Sequence, residues 1–165
     1  MSPTATDRSG HAALVPHERV GVDVSTEEAR LPVGRATVTA LVRFVLQREG
    51  IRDALLSFSF VTPRHSARLN RAHLSHQGPT DVITFALGAS GPVAVVGDVY
   101  ICADVVRTHA RDFGVSVREE FVRVVVHATL HVLGYEHPEG AGRERSVMWR
   151  RQETLLRAFL RSRTG

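Results

Sequence analysis

Lysine is absent from this chain, and all 21 of its basic residues are arginine. Set against 17 acidic residues they leave a formal charge of only +4, so the sequence pI of ≈ 10.4 overstates the positive field. That balance permits contact with nucleic acid without demanding it. Cysteine is nearly absent too. Cys102 stands alone, which excludes an internal disulfide framework and any cysteine-built zinc knuckle, and it reads as a small buried hydrophobe. No apolar run approaches membrane-spanning length. The first 19 residues are polar, broken by Pro3 and Pro16, and offer no apolar centre for a secretory signal. These absences lead to the expectation of a cytoplasmic protein of bacterial type. What is present, 165 residues with 43% hydrophobic content, is enough for one domain with a sizeable core.

Along the chain, residues 1–17 read as a disordered tail and 18–162 as a single domain. Val20, Val22 and Val24 alternate as a strand. Ser25-Thr-Glu-Glu resembles a helix start, but Pro32 places the start of the main helix there, with Val38, Leu41, Val42, Val45 and Leu46 as its apolar stripe and Gly50 closing it. A strand is expected over 55–61, then a short helix opened by Thr62-Pro63, then a polar loop from His73 to Pro79. TDVITFAL reads as a strand, 88–93 as a turn, and VAVVGDVYI as a strand bulged at Gly97. A helix from about Ala103 should turn Val105, Val106, His109, Ala110 and Phe113 inward and end at Gly114. Ser116 and Glu119 form a capping box for a helix over about 117–133. A last helix over about 142–161 buries Met148, Leu155, Leu156, Phe159 and Leu160. The irregular alternation predicts an α+β fold, with a small mixed β-sheet packed against helices and a metal site at the end of a buried helix.

That site comes from HATLHVLGYEH, which sets His127, His131 and His137 in the spacing H-x3-H-x5-H. Imidazoles four apart on a helix point the same way. Gly134 stands where a helix commonly ends in a left-handed residue, so the chain can turn back and bring His137 up as a third ligand. Three protein ligands leave one tetrahedral position for water, the layout of a catalytic zinc site. A lone histidine is more often a surface or satisfied core residue, and six of the nine here, including His11, His17 and His65, are read so. Of the other three, His127 and His131 lie in the apolar run FVRVVVHATLHVL, where an unpartnered imidazole costs roughly 1–3 kcal/mol and a shared metal removes that cost.

H-x-x-x-H-x-x-G-x-x-H is also the metzincin protease pattern, in which a glutamate base follows the first histidine. Here that residue is Ala128, which cannot take a proton, so peptide hydrolysis lacks its base. A different family matches more of the chain. HATLHVLGYEH, the upstream block LNRAHLSHQGPTDVITF (69–85) and the block Gly97-Asp98-Val99-Tyr100-Ile101 agree in order and spacing with the signatures of the YbeY family of bacterial endoribonucleases. The chain resembles that family from roughly residue 20 to 160.

The resemblance implies a single-strand-specific, metal-dependent endoribonuclease acting in rRNA maturation. Its expected roles are 16S 3′-end processing and ribosome quality control, with ribosomal RNA and pre-ribosomal particles as partners. It implies one Zn2+ per chain on His127, His131 and His137, with Thr80, Asp81 and Phe85 on the strand beside the site. Thr80-Asp81 reads equally as a strand-entry turn. The family's assisting arginine falls on Leu74 here, which cannot contact a phosphate. Arg68, Arg71 and His76 are the nearby sources of positive charge, the two arginines as RNA contacts. His76 and Glu136 are the candidates for proton transfer to the leaving group. Loss of that arginine keeps open a second class, a non-catalytic ribosome-assembly factor with a structural metal. Arg143, Arg150, Arg157 and Arg161 make a basic stripe on the last helix, read first as a solvated face.

Overall fold

The computed structural model describes residues 18–27, 30–90 and 93–164. The tail expected over 1–17 lies outside them, as do His11 and His17. The order of elements is β1 (Arg19–Thr26), α1 (Arg35–Arg48), β2 (Asp53–Phe60), α2 (Pro63–Leu74), β3 (Val82–Ser90), β4 (Val93–Ile101), α3 (Ala103–Phe113), α4 (Val117–Val132), a 3-10 turn (Arg143–Arg145) and α5 (Val147–Ser162). The four strands form one sheet in the order β1-β2-β4-β3. β1 and β4 run parallel to β2, and β3 runs antiparallel to β4. The fold is therefore α+β with a small mixed sheet, as the alternation of elements predicts.

Period-two alternation carries the core. On β2, Ala54, Leu56, Phe58 and Phe60 are buried, while Leu55 between them is 49% exposed. They meet Leu41 and Val45 of α1 and Phe121 and Val125 of α4 in one apolar cluster. The Phe60 and Phe121 rings stack with centroids 5.2 Å apart. α4 is the central helix, buried on nearly every side from Glu120 to Leu130. Its start is the expected cap, with the Glu119 amide donating to Ser116 Oγ at 3.1 Å. Its end is a Schellman turn: Gly134 takes φ +93°, its amide donates to His131 O at 3.0 Å, and the Tyr135 amide donates to Leu130 O at 3.0 Å.

Several local expectations are corrected. The main helix begins at Arg35 rather than Pro32, with Gly34 as its N-cap. Ser25 remains in β1, so the Ser25-Thr-Glu-Glu signal starts no helix at that residue. α2 runs through His73 to Leu74, because Ser75 closes it in a left-handed conformation at φ +56°. β3 continues to Ser90, so the turn expected over 88–93 is shorter, and its residues 91–92 lie outside those described. The sheet irregularity is on β3, where Ala86 pairs with Gly97 and Gly88 with Val96, leaving Leu87 over. Gly97 answers to packing instead: a Cβ there would meet Val132 Cγ1 of α4 at 2.5 Å. Phe113, expected inside, is 66% exposed. α5 starts at Val147 after the 3-10 turn, capped by Ser146 Oγ accepting from the Trp149 amide at 3.1 Å.

Candidate metal centre and the cavity beside it

α4 delivers His127 and His131 one turn apart, and the turn at Gly134 returns His137 to them. Ring centroids lie 4.5 Å (His127–His131), 5.1 Å (His127–His137) and 5.0 Å (His131–His137) apart. One nitrogen from each ring falls within 4.8 Å of the others.

The hydrogen bonds behind the rings settle which nitrogens converge. His127 Nδ1 lies 2.6 Å from Gln152 Oε1, and the same amide donates from Nε2 to Glu153 Oε1 at 3.1 Å. His131 Nδ1 lies 2.9 Å from Tyr135 O, and His137 Nδ1 lies 3.0 Å from Pro138 O. Each partner is a carbonyl-type oxygen that only accepts, so each Nδ1 carries the proton and each Nε2 offers a lone pair. His131 Nε2 and His137 Nε2 then face one another at 3.2 Å with no proton between them. A cation resolves that opposition. Bonds of ~2.0–2.1 Å in a tetrahedral set separate ligand nitrogens by about 3.3 Å, so this donor set fits a divalent metal.

Burial, opposed by the Gln152 contact, pushes His127 down to about 4. His131 is also lowered, by burial first and then by the charge of His137. Both rings are neutral near pH 7, the ligating form. Ala128, where a protease base would stand, is fully buried in the core.

The histidine loop is tied down from outside. Tyr135, whose carbonyl holds His131, donates its hydroxyl to Glu49 Oε2 at 2.7 Å, and Arg151 Nε reaches Glu49 Oε1 at 2.5 Å. Arg123 gathers Glu119, Glu120 and Glu153 at 2.8, 2.5 and 2.9 Å, which steadies Gln152 through its neighbour.

Beside the histidines a cavity of about 810 Å³ is walled by His127, Gln152, Asp81, His109, Trp149 and Arg143, among others. Asp81 Oδ1 accepts from the Val82 amide at 2.8 Å and from Thr80 Oγ1 at 3.2 Å, at a bend that leads into β3. Its Oδ2 faces His109 Nδ1 at 3.7 Å, a charge contact rather than a hydrogen bond. That contact raises the His109 pKa; burial would raise that of Asp81, but His109 outweighs it and the net shift is downward. Phe85 lies between the rings of His73 and Tyr100, at 5.0 and 6.0 Å.

Arg68, Arg71 and His76 are exposed, as are Glu136 and Leu74. Among the described residues none of the five lines the cavity or lies within hydrogen-bond distance of the three histidines, although the charge of Glu136 reaches His131. Gln152, His109, Trp149 and Arg143 were not singled out for the site in the sequence. Gln152 and His109 each left a signal, as a polar residue among the apolar positions of its helix.

Comparison with known proteins agrees with this geometry. A family model described as Endoribonuclease YbeY matches residues 23–160. The Endoribonuclease YbeY of Chlorobium luteolum is 35% identical over 128 residues, spanning 76% of this chain and 89% of that protein. That of Bacillus licheniformis is 32% identical over 157 residues, spanning 87% and 98%. The chain belongs to the endoribonuclease YbeY family. A solution structure of a Thermotoga maritima protein shares the fold, with a TM-score of 0.59 and 23% identity over 86% of this chain and 90% of that one. Among the described residues no helix is long and apolar enough to cross a membrane.

Proposed function

We propose that this chain is a metal-dependent endoribonuclease that cuts single-stranded segments of ribosomal RNA in the cytoplasm, on pre-ribosomal particles, during maturation of the 16S 3′ end. The observation that carries the reading is the convergence of three Nε2 lone pairs, each ring fixed by an Nδ1–H bond, in a chain of this family. Zinc is the metal we assign, one ion per chain, because a set of three imidazole nitrogens suits it. When bound it supplies a Lewis acid and lowers the pKa of its water toward 7.

The protein's own residues do the rest. His127, His131 and His137 hold the ion, and Gln152, Tyr135 O and Pro138 O orient them. Arg143, whose charge reaches both His127 and His131, offsets negative charge on a phosphodiester at the cluster. Arg68 and Arg71 supply further contacts to the RNA backbone along α2. His76 and Glu136 are proposed to serve proton transfer to the leaving oxygen.

Purified protein loaded with zinc should cleave single-stranded rRNA fragments, and chelation should abolish cleavage until metal is returned. One observation favours a second reading, an assembly factor that holds its metal for structure: Leu74, 47% exposed, stands where the resembling family has its arginine. A fully metallated protein that binds rRNA precursors without cutting them would establish that reading instead.

A further inference from the structure

The cavity next to His127 has a composition that metal binding does not explain. Trp149, the only tryptophan of the chain, lines it, and so does Phe113, 66% exposed at the end of α3. The Arg143 guanidinium lies over the Trp149 ring at 5.9 Å from its centroid, and His109 and Phe113 have ring centroids 5.8 Å apart. Of the three acids in the wall, Asp81 is matched by His109 and Glu120 by Arg123, while Glu144 is exposed between the two arginines Arg143 and Arg145. Arg143 and Arg145 have no carboxylate within 4.0 Å among the described residues. An aromatic wall with free guanidinium groups suits a ligand that carries a flat π-face and a phosphate. About 810 Å³ holds a group of nucleotide size.

We propose that this cavity is a subsite for one unpaired nucleotide of an RNA strand, its base stacked on Trp149 and its phosphate met by Arg143 and Arg145. Unpaired bases are commonly held on aromatic rings and guanidinium planes, and every base has a face to offer. Because His127 shares the wall, the nucleotide in the subsite is a close neighbour of the phosphodiester at the histidines. A paired base cannot leave its helix to enter without loss of pairing and stacking, so the subsite would favour single strands. The proposal rests on the ribonuclease reading for the bond that is cut, but not for the binding itself.

The test uses the metal-loaded full chain and a short 2′-O-methyl oligoribonucleotide, shown to be intact after each titration. Trp149 is its own reporter: its emission should change saturably as the strand binds. Trp149→Ala should weaken binding about 5- to 150-fold, the equivalent of roughly 1–3 kcal/mol for one stacked base, and Trp149→Phe should recover most of it. Arg143→Gln and Arg145→Gln should each flatten the salt dependence by about 0.7 in slope. An abasic nucleotide is then placed at each position in turn. At the stacked position Trp149→Ala should make no further difference, a result that a merely structural tryptophan does not give. Metal content of each variant confirms that the histidine site survives. Unchanged emission at saturation, or an equal loss for every abasic strand, overturns the subsite. Cleavage of unmodified RNA is measured separately on the same protein. Cleavage without any effect of Trp149 defeats the subsite alone, and a Trp149-dependent stack without cleavage defeats the ribonuclease reading alone.

Discussion

The Nδ1–H of His127 points at Gln152 Oε1, 2.6 Å away, and that contact selects the nitrogen left for a metal. Gln152→Leu removes the acceptor and leaves a buried N–H unpaired. Metal affinity should fall about 10- to 100-fold, the usual effect of losing such a partner, while Gln152→Glu should keep most of it. Competition with a chromophoric chelator measures both; equal affinity in wild type and Gln152→Leu would refute the assignment. His109 and Asp81 give a second prediction, in pH. His109 is raised above 6.5, so its contribution to stability is full below 6.5 and lost as pH climbs through its folded value. Asp81 is lowered beneath 3.8, so its contribution is present above 3.8 and lost as pH falls through its folded value. Both act together between 3.8 and 6.5. In urea unfolding, His109→Gln should lose the extra decline that wild type shows above pH 6.5; parallel curves for the two proteins would count against the pair. The three histidines were legible because helical spacing and a glycine are local signals. The roles of Gln152 and His109 were not, because each acts across 25 or more residues of chain, on His127 and Asp81.

Elements were legible wherever one local rule governed them. The alternation of Val20, Val22 and Val24 drew β1, a capping box drew the start of α4, and Thr62-Pro63 drew α2. They were misread where one residue has two explanations. A glycine inside a strand marks a bulge or a close approach, and only the tertiary structure shows that α4 lies against Gly97 while the strand irregularity belongs to Leu87. That contact joins sheet to site, because Val132 follows the candidate ligand His131. In Gly97→Ala the new Cβ would lie 2.5 Å from Val132 Cγ1 and 3.1 Å from Phe85 O, so the Val132 side chain or the backbone that carries it must shift. We expect a loss of about 1–3 kcal/mol, typical of overpacking, together with weaker metal binding as His131 shifts. Adding Val132→Ala should restore part of both. A Gly97→Ala protein as stable as wild type, with full metal affinity, would show that α4 is not held at this point.

Across the whole molecule the metal would fasten three segments: α4 through His127 and His131, the following loop through His137, and α5 through Gln152. The loop is tied again to α1 and α5, since Tyr135 and Arg151 both reach Glu49. Two helices that pack against α4 and against each other therefore share one ionic clasp. Binding to the native state alone adds about 4 kcal/mol when free metal is ~1,000 times the dissociation constant. For a chain of this size each kcal/mol moves the melting temperature by roughly 2–4 °C. Zinc-loaded wild type should therefore melt roughly 8–16 °C above the chelated protein in a calorimeter. His131→Ala should show little of that response. Its chelated form should melt no lower than chelated wild type by more than the lost packing, because the variant no longer opposes two Nε2 lone pairs at 3.2 Å. The size of the zinc response, compared between the two proteins, isolates the clasp from the general effect of a core substitution. Equal zinc responses in wild type and His131→Ala would mean that the ion binds elsewhere and that the three-histidine cluster does not hold it.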